Sequence, residues 1–252
     1  RSSLGMKIAD LEAAIKKHPD AKAILVNNPT YYGICSNLKR IVALGHQSGM
    51  KVLVDEAHGT HLYFGENLPV NAMAAGADMA AVSTHKTGGS LTQSSLLLLG
   101  KAMNADYVRQ VINLTQTTSG SYLLMSSVDI ARSELAIHGK EIFKKVVEMA
   151  DYARQEINKI QGLYAFSREL CNGDDLYDFD ITKLSIHTRQ MGLAGIEVYD
   201  ILRDDFDIQI EFGDIGNILA IISVGDRPFE IERLIAALAE ISRTASKDPS
   251  GL

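Results

Sequence analysis

The 252-residue sequence has no tryptophan, only two cysteines and five prolines, and 6% aromatic residues. Cys35 and Cys171 lie far apart without CxxC spacing. That favours free thiols in a cytoplasmic protein over a disulfide framework or a zinc site. Long apolar runs are missing: stretches such as Leu96–Leu99 fall far below the roughly 20 residues of a bilayer-spanning helix. No secretory signal pattern opens the chain either, so no membrane partner is expected. A basic excess is also lacking. Acidic residues outnumber basic ones 31 to 25, with a net charge of −6 and a pI near 5.6, which argues against nucleic acid as a partner. What is present is a 46% hydrophobic content, enough for a buried core in one large domain or two smaller ones. The chain opens at Arg1-Ser2-Ser3 without an initiating Met and stops at Asp248-Pro249-Ser250-Gly251-Leu252; it is expected to be a piece of a longer protein.

Periodicity predicts alternating strands and helices. Ile8, Leu11, Ala14 and Ile15 form a helical stripe ended by His18-Pro19-Asp20, and Ala21 to Val26 is a short apolar strand. Asn37 is positioned to cap a helix through Gln47, with Gly49 closing it before the strand Lys51 to Asp55. A helix over Val70–Ala75, a strand over Ala77–Val82, the apolar run Ser95–Leu99 and a helix over Ala105–Leu114 follow. This alternation predicts an α/β fold, a mostly parallel sheet with helices on both faces. From Leu123 to about Ile160 the helical periodicity is too long for one ordinary helix, and Gly139 is the expected interruption. Beyond Gly162 come short strands over Leu163–Ser167, Ile181–Thr188, Asp207–Phe212 and Asn217–Val224. Helices are predicted over Leu193–Arg203 and from Pro228 to about Ile241. The expected domains are 1–139, a large domain, 140–162, a helical connector, and 163–252, a small α/β domain.

Two stretches carry chemistry. Asp55-Glu56-Ala57-His58-Gly59 and Ser83-Thr84-His85-Lys86-Thr87 each follow an apolar strand. Open α/β sheets bind ligands beyond the carboxyl ends of their strands. A desolvated Lys there forms imines, and an Asp keeps a cofactor ring nitrogen protonated. The pair Lys86 and Asp55 therefore points to pyridoxal phosphate (PLP).

With Asn28-Pro29-Thr30-Tyr31-Tyr32-Gly33 and Leu91-Thr92-Gln93-Ser94-Ser95, these stretches resemble the Orn/Lys/Arg decarboxylases of the aspartate-aminotransferase fold, most closely the shorter Gram-positive type. The resemblance implies a PLP-dependent transferase-like large domain, lacking its N-terminal part, with a small α/β domain. It implies decarboxylation of arginine, lysine or ornithine, a step toward polyamines, through a Schiff base on Lys86, with Asp55 on the pyridine nitrogen. Ala57 would pack on the ring, His58 and Asn28 would lie on its phenolic-oxygen side, and Ser83 and His85 would contact the phosphate. His85 would also influence proton return to the α-carbon, which makes Lys86, His85 and Asp55 the expected catalytic set. The Thr117-Thr118-Ser119-Gly120-Ser121-Tyr122 stretch matches a loop that the family lends to a neighbouring subunit, so a homodimer or larger homo-oligomer is implied. The family's Gly/Ser-rich phosphate loop and ring-stacking residue belong upstream of Arg1, and its C-terminal domain is expected beyond Leu252.

Rival readings exist for the same residues. Another PLP reaction on this fold, transamination or aldol cleavage, uses the same lysine, and a fragment without turnover keeps the fold alone. Asp55-Glu56-Ala57-His58 spells the DEAH box of NTP-driven helicases, but residues 1–54 hold no GxxxxGK[ST] loop. His58, His61 and His85 beside Asp55 lack metal-site spacing, so no metal is expected. Tyr31 and Tyr32 are read as loop packing, Glu211 as an exposed strand residue, and Gly213-Asp214-Ile215-Gly216-Asn217 as a hairpin turn.

Overall fold

The computed structural model describes residues 4–245. They divide into two compact units: residues up to Phe143 with Cys171–Phe179, and Lys144–Leu170 with the residues from Asp180 onward.

In the first unit, α1 (Ile8–Lys17) precedes β1 (Ala23–Asn27), a short β2 (Ile34–Cys35), α2 (Leu38–Gln47) and β3 (Lys51–Asp55). Asn37 starts α2 as its sequence position predicts, its side chain accepting the Arg40 N–H at 3.1 Å. β4 (Met79–Val82) and β5 (Leu96–Leu99) complete a sheet ordered β1-β3-β4-β5. β1, β3 and β4 run parallel and β5 is antiparallel. Alternate side chains of β1 and β3 turn inward: Ile24, Val26, Val52 and Val54 pack with Leu11 of α1 and Leu38, Ile41 and Val42 of α2. The opposite face is more open than an expectation of helices on both sides allows, and Leu25 there is 70% exposed.

The helix predicted over Val70–Ala75 is instead one turn, in which Asn71 O accepts the Ala75 N–H and Asn71 Oδ1 the Ala74 N–H. Asn71 caps this turn as Asn37 caps α2, but Gly76, at φ 88°, and the Ala77 N–H to Ala72 O bond at 3.0 Å close it after one turn. Below the sheet, the buried Asp78 accepts from Val52 N–H, Lys51 Nζ and the His46 ring at 2.8–2.9 Å. Burial works against its charge, yet these donors hold its carboxyl below the usual range.

After α3 (Thr84–Thr87) and α4 (Ala105–Thr115), α5 (Tyr122–Ile157) is a single helix of 36 residues. It passes without a break through Gly139, contrary to the expected interruption. A Cβ at Gly139 would lie 2.8 Å from Cβ of Phe64. The glycine is there for close packing of a helix flank, not for a bend.

In the second unit, β6 (Tyr164–Ala165) begins an antiparallel sheet, while β7 (Asp178–Phe179) belongs to the first unit and pairs there with β2. β8 (Lys183–His187), α6 (Gly195–Asp204), β9 (Phe212–Gly213), β10 (Asn217–Ile221) and α7 (Pro228–Ala245) follow, in sheet order β6-β8-β10-β9. The strand predicted over Asp207–Phe212 shrinks to Phe212–Gly213, and Glu211 sits exposed in a bend before it. Asp207 has φ 53°, a left-handed conformation that breaks strand pairing. The β9–β10 hairpin is as predicted, with Asp214 Oδ1 accepting the Gly216 and Asn217 N–H groups. No helix among the described residues is long and apolar enough to cross a membrane.

Candidate active site at three strand ends

Parallel register brings the site together. Asn27 of β1 is level with Asp55 of β3, and Asp55 with Ala81 of β4. The residues just beyond, Asn28, the Asp55–His58 turn and Ser83–Lys86, therefore emerge side by side at the carboxyl edge of the sheet. Backbone bonds continue the ladder past the strands: Asn28 N–H to Asp55 O, and Glu56 N–H to Ala81 O, both at 2.9 Å.

Asp55 is exposed, and its Oδ1 accepts the Ala57 N–H at 3.1 Å. Lys86 is also exposed, with Nζ 3.4 Å from Nε2 of the buried His58. An ammonium has no lone pair, so while Lys86 is charged it donates and His58 Nε2 accepts. The His85 ring places Nδ1 2.7 Å from Ser94 O. A carbonyl only accepts, so Nδ1 carries the proton and the neutral ring keeps Nε2 as its bare acceptor. Ser83 O accepts the Lys86 N–H at 3.1 Å and the Thr60 hydroxyl at 3.1 Å. Ala57 is half-buried on the same turn. Asn28 is buried, and its Oδ1 accepts the Ser36 N–H at 2.7 Å. That bond fixes the amide orientation and leaves Asn28 Nδ2, also buried, without an acceptor.

Several supporting residues have no individual sequence signal. The Tyr31 ring meets His58 edge-on at 4.9 Å, so its packing is against a site residue. Ser94 is buried and its carbonyl receives both His85 Nδ1 and, at 3.0 Å, the Thr84 hydroxyl. The hydroxyl-rich stretch Leu91–Ser95 was the only hint of that buttress. His61 is buried against Phe143, with ring centroids 5.9 Å apart.

Glu56 separates this site from the DEAH reading. Strand alternation turns it away from Asp55 into the interior, where it is fully buried and accepts from Tyr63 OH at 2.5 Å and Ala72 N–H at 2.9 Å. Two carboxylates on opposite faces cannot share one Mg²⁺. Burial pushes the Glu56 carboxyl up from 4.5 to about 7, partly offset by its two donors, and burial with the adjacent carboxylate pushes the Tyr63 hydroxyl up as well. Because the folded value is raised, the folded state holds the proton more tightly. Its stabilising effect is complete below the unfolded value and is lost as pH rises through about 7. Glu56→Gln is expected to remove a loss of about 3 kcal/mol between pH 5 and 8; urea unfolding at both pH values, in parent and variant, reads it directly.

Comparison with known proteins gives the family of the chain. The family model described as Orn/Lys/Arg decarboxylase, major domain, matches residues 3–228. The arginine decarboxylase of Halalkalibacterium halodurans is 47% identical over 241 residues, covering 95% of this chain and 49% of that protein. The arginine decarboxylase of Bacillus subtilis is 43% identical over 246 residues, 97% of this chain and 50% of that protein. The chain thus spans about half the length of the relatives it matches. The crystal structure of the Francisella novicida lysine decarboxylase LdcF superposes with a TM-score of 0.78 at 21% identity, over 94% of this chain and 39% of that one; at that identity the likeness speaks to the fold. With a family model spanning nearly the whole sequence and its motifs gathered on adjacent strand ends, the chain belongs to the Orn/Lys/Arg decarboxylase family.

Proposed function

We propose that this chain forms the cofactor-holding part of a PLP-dependent decarboxylase of a basic amino acid, with arginine the favoured substrate. The observation that carries the reading is the placement of Lys86 Nζ and the Asp55 carboxylate beyond adjacent parallel strands. The choice of arginine is supported by the two relatives at 43–47% identity that bear that name.

The residues present fit the cofactor. Asn28 Nδ2 is a buried donor lacking an acceptor, a costly state that an anionic ring oxygen relieves. Lys86 supplies the amine that would hold the aldehyde carbon, Asp55 the carboxylate for the ring nitrogen, and Ala57 the small side chain that admits a flat ring. His58 and Asn28 would serve the phenolic-oxygen side, Ser83 and His85 the phosphate. When bound, PLP supplies a conjugated sink for the electron pair left as the bond from the α-carbon to the carboxylate breaks and carbon dioxide departs.

The chain's own groups manage protons. His58 Nε2 accepts from Lys86 Nζ and so can draw a proton from the ammonium, freeing the amine to act as a nucleophile. His85 Nε2, bare because Nδ1 is tied to Ser94 O, is the acceptor that holds a proton and returns it to the α-carbon, balancing the loss of carbon dioxide. The products are carbon dioxide and the amine of the substrate.

Borohydride reduction of the full-length protein with PLP, followed by peptide mass spectrometry, is expected to fix a pyridoxyl group on Lys86. A group fixed on another lysine, or on none, overturns the reading.

The same proposal includes a homodimer or larger homo-oligomer in the cytoplasm. Thr118-Ser119-Gly120-Ser121 is wholly exposed, as a loop lent to a neighbouring site would be before assembly. It is flanked by Leu114, Tyr122 and Leu123, exposed 86%, 84% and 70%, an apolar patch of the kind that marks an interface. Leu123→Asp in the full-length protein is expected to shift sedimentation from dimer to monomer; an unchanged profile removes this patch from the interface.

A further inference from the structure

Glu56 is left over from the site chemistry. It is fully buried, faces away from Asp55, and touches none of the groups assigned to the cofactor. Nevertheless it lies in the middle of the turn that carries them. Its N–H is bound to Ala81 O of β4 and its carbonyl accepts the Gly59 N–H at 2.8 Å. One carboxyl oxygen takes the Tyr63 hydroxyl, from the 3₁₀ turn Thr60–Tyr63, and the other takes Ala72 N–H, from the turn after Asn71. Asn71 Nδ2 joins those two turns by donating to Leu62 O at 3.2 Å. The inward route exists only because residue 59 is glycine: a Cβ there would stand 2.4 Å from Glu56 Cγ.

We propose that Glu56 is a positioning residue, its carboxyl group clamped by Tyr63 OH and Ala72 N–H so that the Asp55–Gly59 turn holds Asp55 outward and His58 against Lys86. The inference rests on the proposed PLP function. It assigns Glu56 no contact with substrate or cofactor. A residue that fixes the turn holding a first contact shell governs affinity through geometry, and loss of such support leaves a site present but loose. The clamp needs an acceptor for Ala72 N–H and a partner for Tyr63 OH, not a negative charge. Glutamine supplies both with its amide.

The test compares PLP dissociation constants and borohydride-fixed pyridoxyl on Lys86 in full-length parent, Glu56→Ala, Glu56→Gln and Tyr63→Phe. Asp78→Asn serves as a control that weakens the far end of the same strands, where Asp78 holds Val52 and Lys51. Glu56→Ala is expected to weaken PLP binding at least about tenfold and Tyr63→Phe about threefold, as losing buried hydrogen bonds of the turn implies. Glu56→Gln is expected to return most of the affinity, and Asp78→Asn to lower the melting temperature with PLP binding near the parent value. Equal affinity in Glu56→Ala and parent, or a loss in Asp78→Asn matching that in Glu56→Ala, overturns the positioning role. So does failure of Glu56→Gln to recover. Should Glu56→Ala not fold, an unaltered affinity in Tyr63→Phe overturns it. Failure of the parent itself to trap PLP on Lys86 overturns the functional reading instead, which keeps the two separable.

Discussion

Replacing Lys86 with alanine in the full-length protein is expected to lower carbon dioxide release from arginine by about 10³-fold or more, the range lost when a positioned proton-transfer and nucleophilic group is removed. Lys86→Arg is expected to do no better. A guanidinium keeps the charge and the reach, but its pKa leaves no neutral nitrogen to attack a carbonyl carbon. The loss is catalytic and not conformational. Lys86 is exposed and its described side-chain partner is His58, so the unfolding free energy should change by no more than about 0.5 kcal/mol. Release of carbon dioxide from labelled arginine, lysine and ornithine, measured with the unfolding curve of the same preparations, checks both parts. Activity in Lys86→Ala within tenfold of the parent sinks the mechanism.

The largest effect on stability is expected at Arg154, which belongs to the second unit and is none of the residues assigned to the cofactor. This arginine of α5 is buried, at 3% exposure. Its guanidinium donates to the carbonyls of Phe166, Ile181 and Lys183, the last two at 3.0 and 3.1 Å. A single side chain thus ties the helix to the segments around β6 and β8 within the second unit. Burial lowers its pKa, opposed by the nearby Asp151, Asp180 and Glu169, yet a guanidinium remains charged at any pH the fold survives. Arg154→Met keeps much of the volume and removes every donor, leaving carbonyls in the interior unpaired. The expected cost is about 3–5 kcal/mol. Arg154→Lys recovers only part of it, because one ammonium cannot span carbonyls that a planar fork reaches together. Urea unfolding with hydrogen exchange of the β8 amides measures the cost and where it falls. An unfolding curve that overlays the parent would show the carbonyls are satisfied without the guanidinium.

The sequence by itself determined the α/β class, the boundaries of β3 and α2, and the position of the Asp55 and Lys86 stretches at strand ends. Short-range rules govern these features: strand alternation, an Asn side chain capping the next helix, and an acid or amine directly after an apolar strand. The same rules misjudge elements whose fate depends on distant atoms. Gly139 looks like a helix break until Phe64 is seen packed on it. The Val70–Ala75 pattern looks helical, although Gly76 in a left-handed conformation closes it after one turn. Asp55 and Glu56 are adjacent in sequence and chemically alike, and only the tertiary structure decided their fates. Pleating sends Asp55 toward solvent and Glu56 into the interior, where Tyr63 and Ala72 wait for its carboxyl group. The tertiary structure likewise gave His58 its place beside Lys86 and His85 its tautomer, because parallel register and the Ser94 carbonyl, set by long-range backbone pairing, fix where those rings meet their partners.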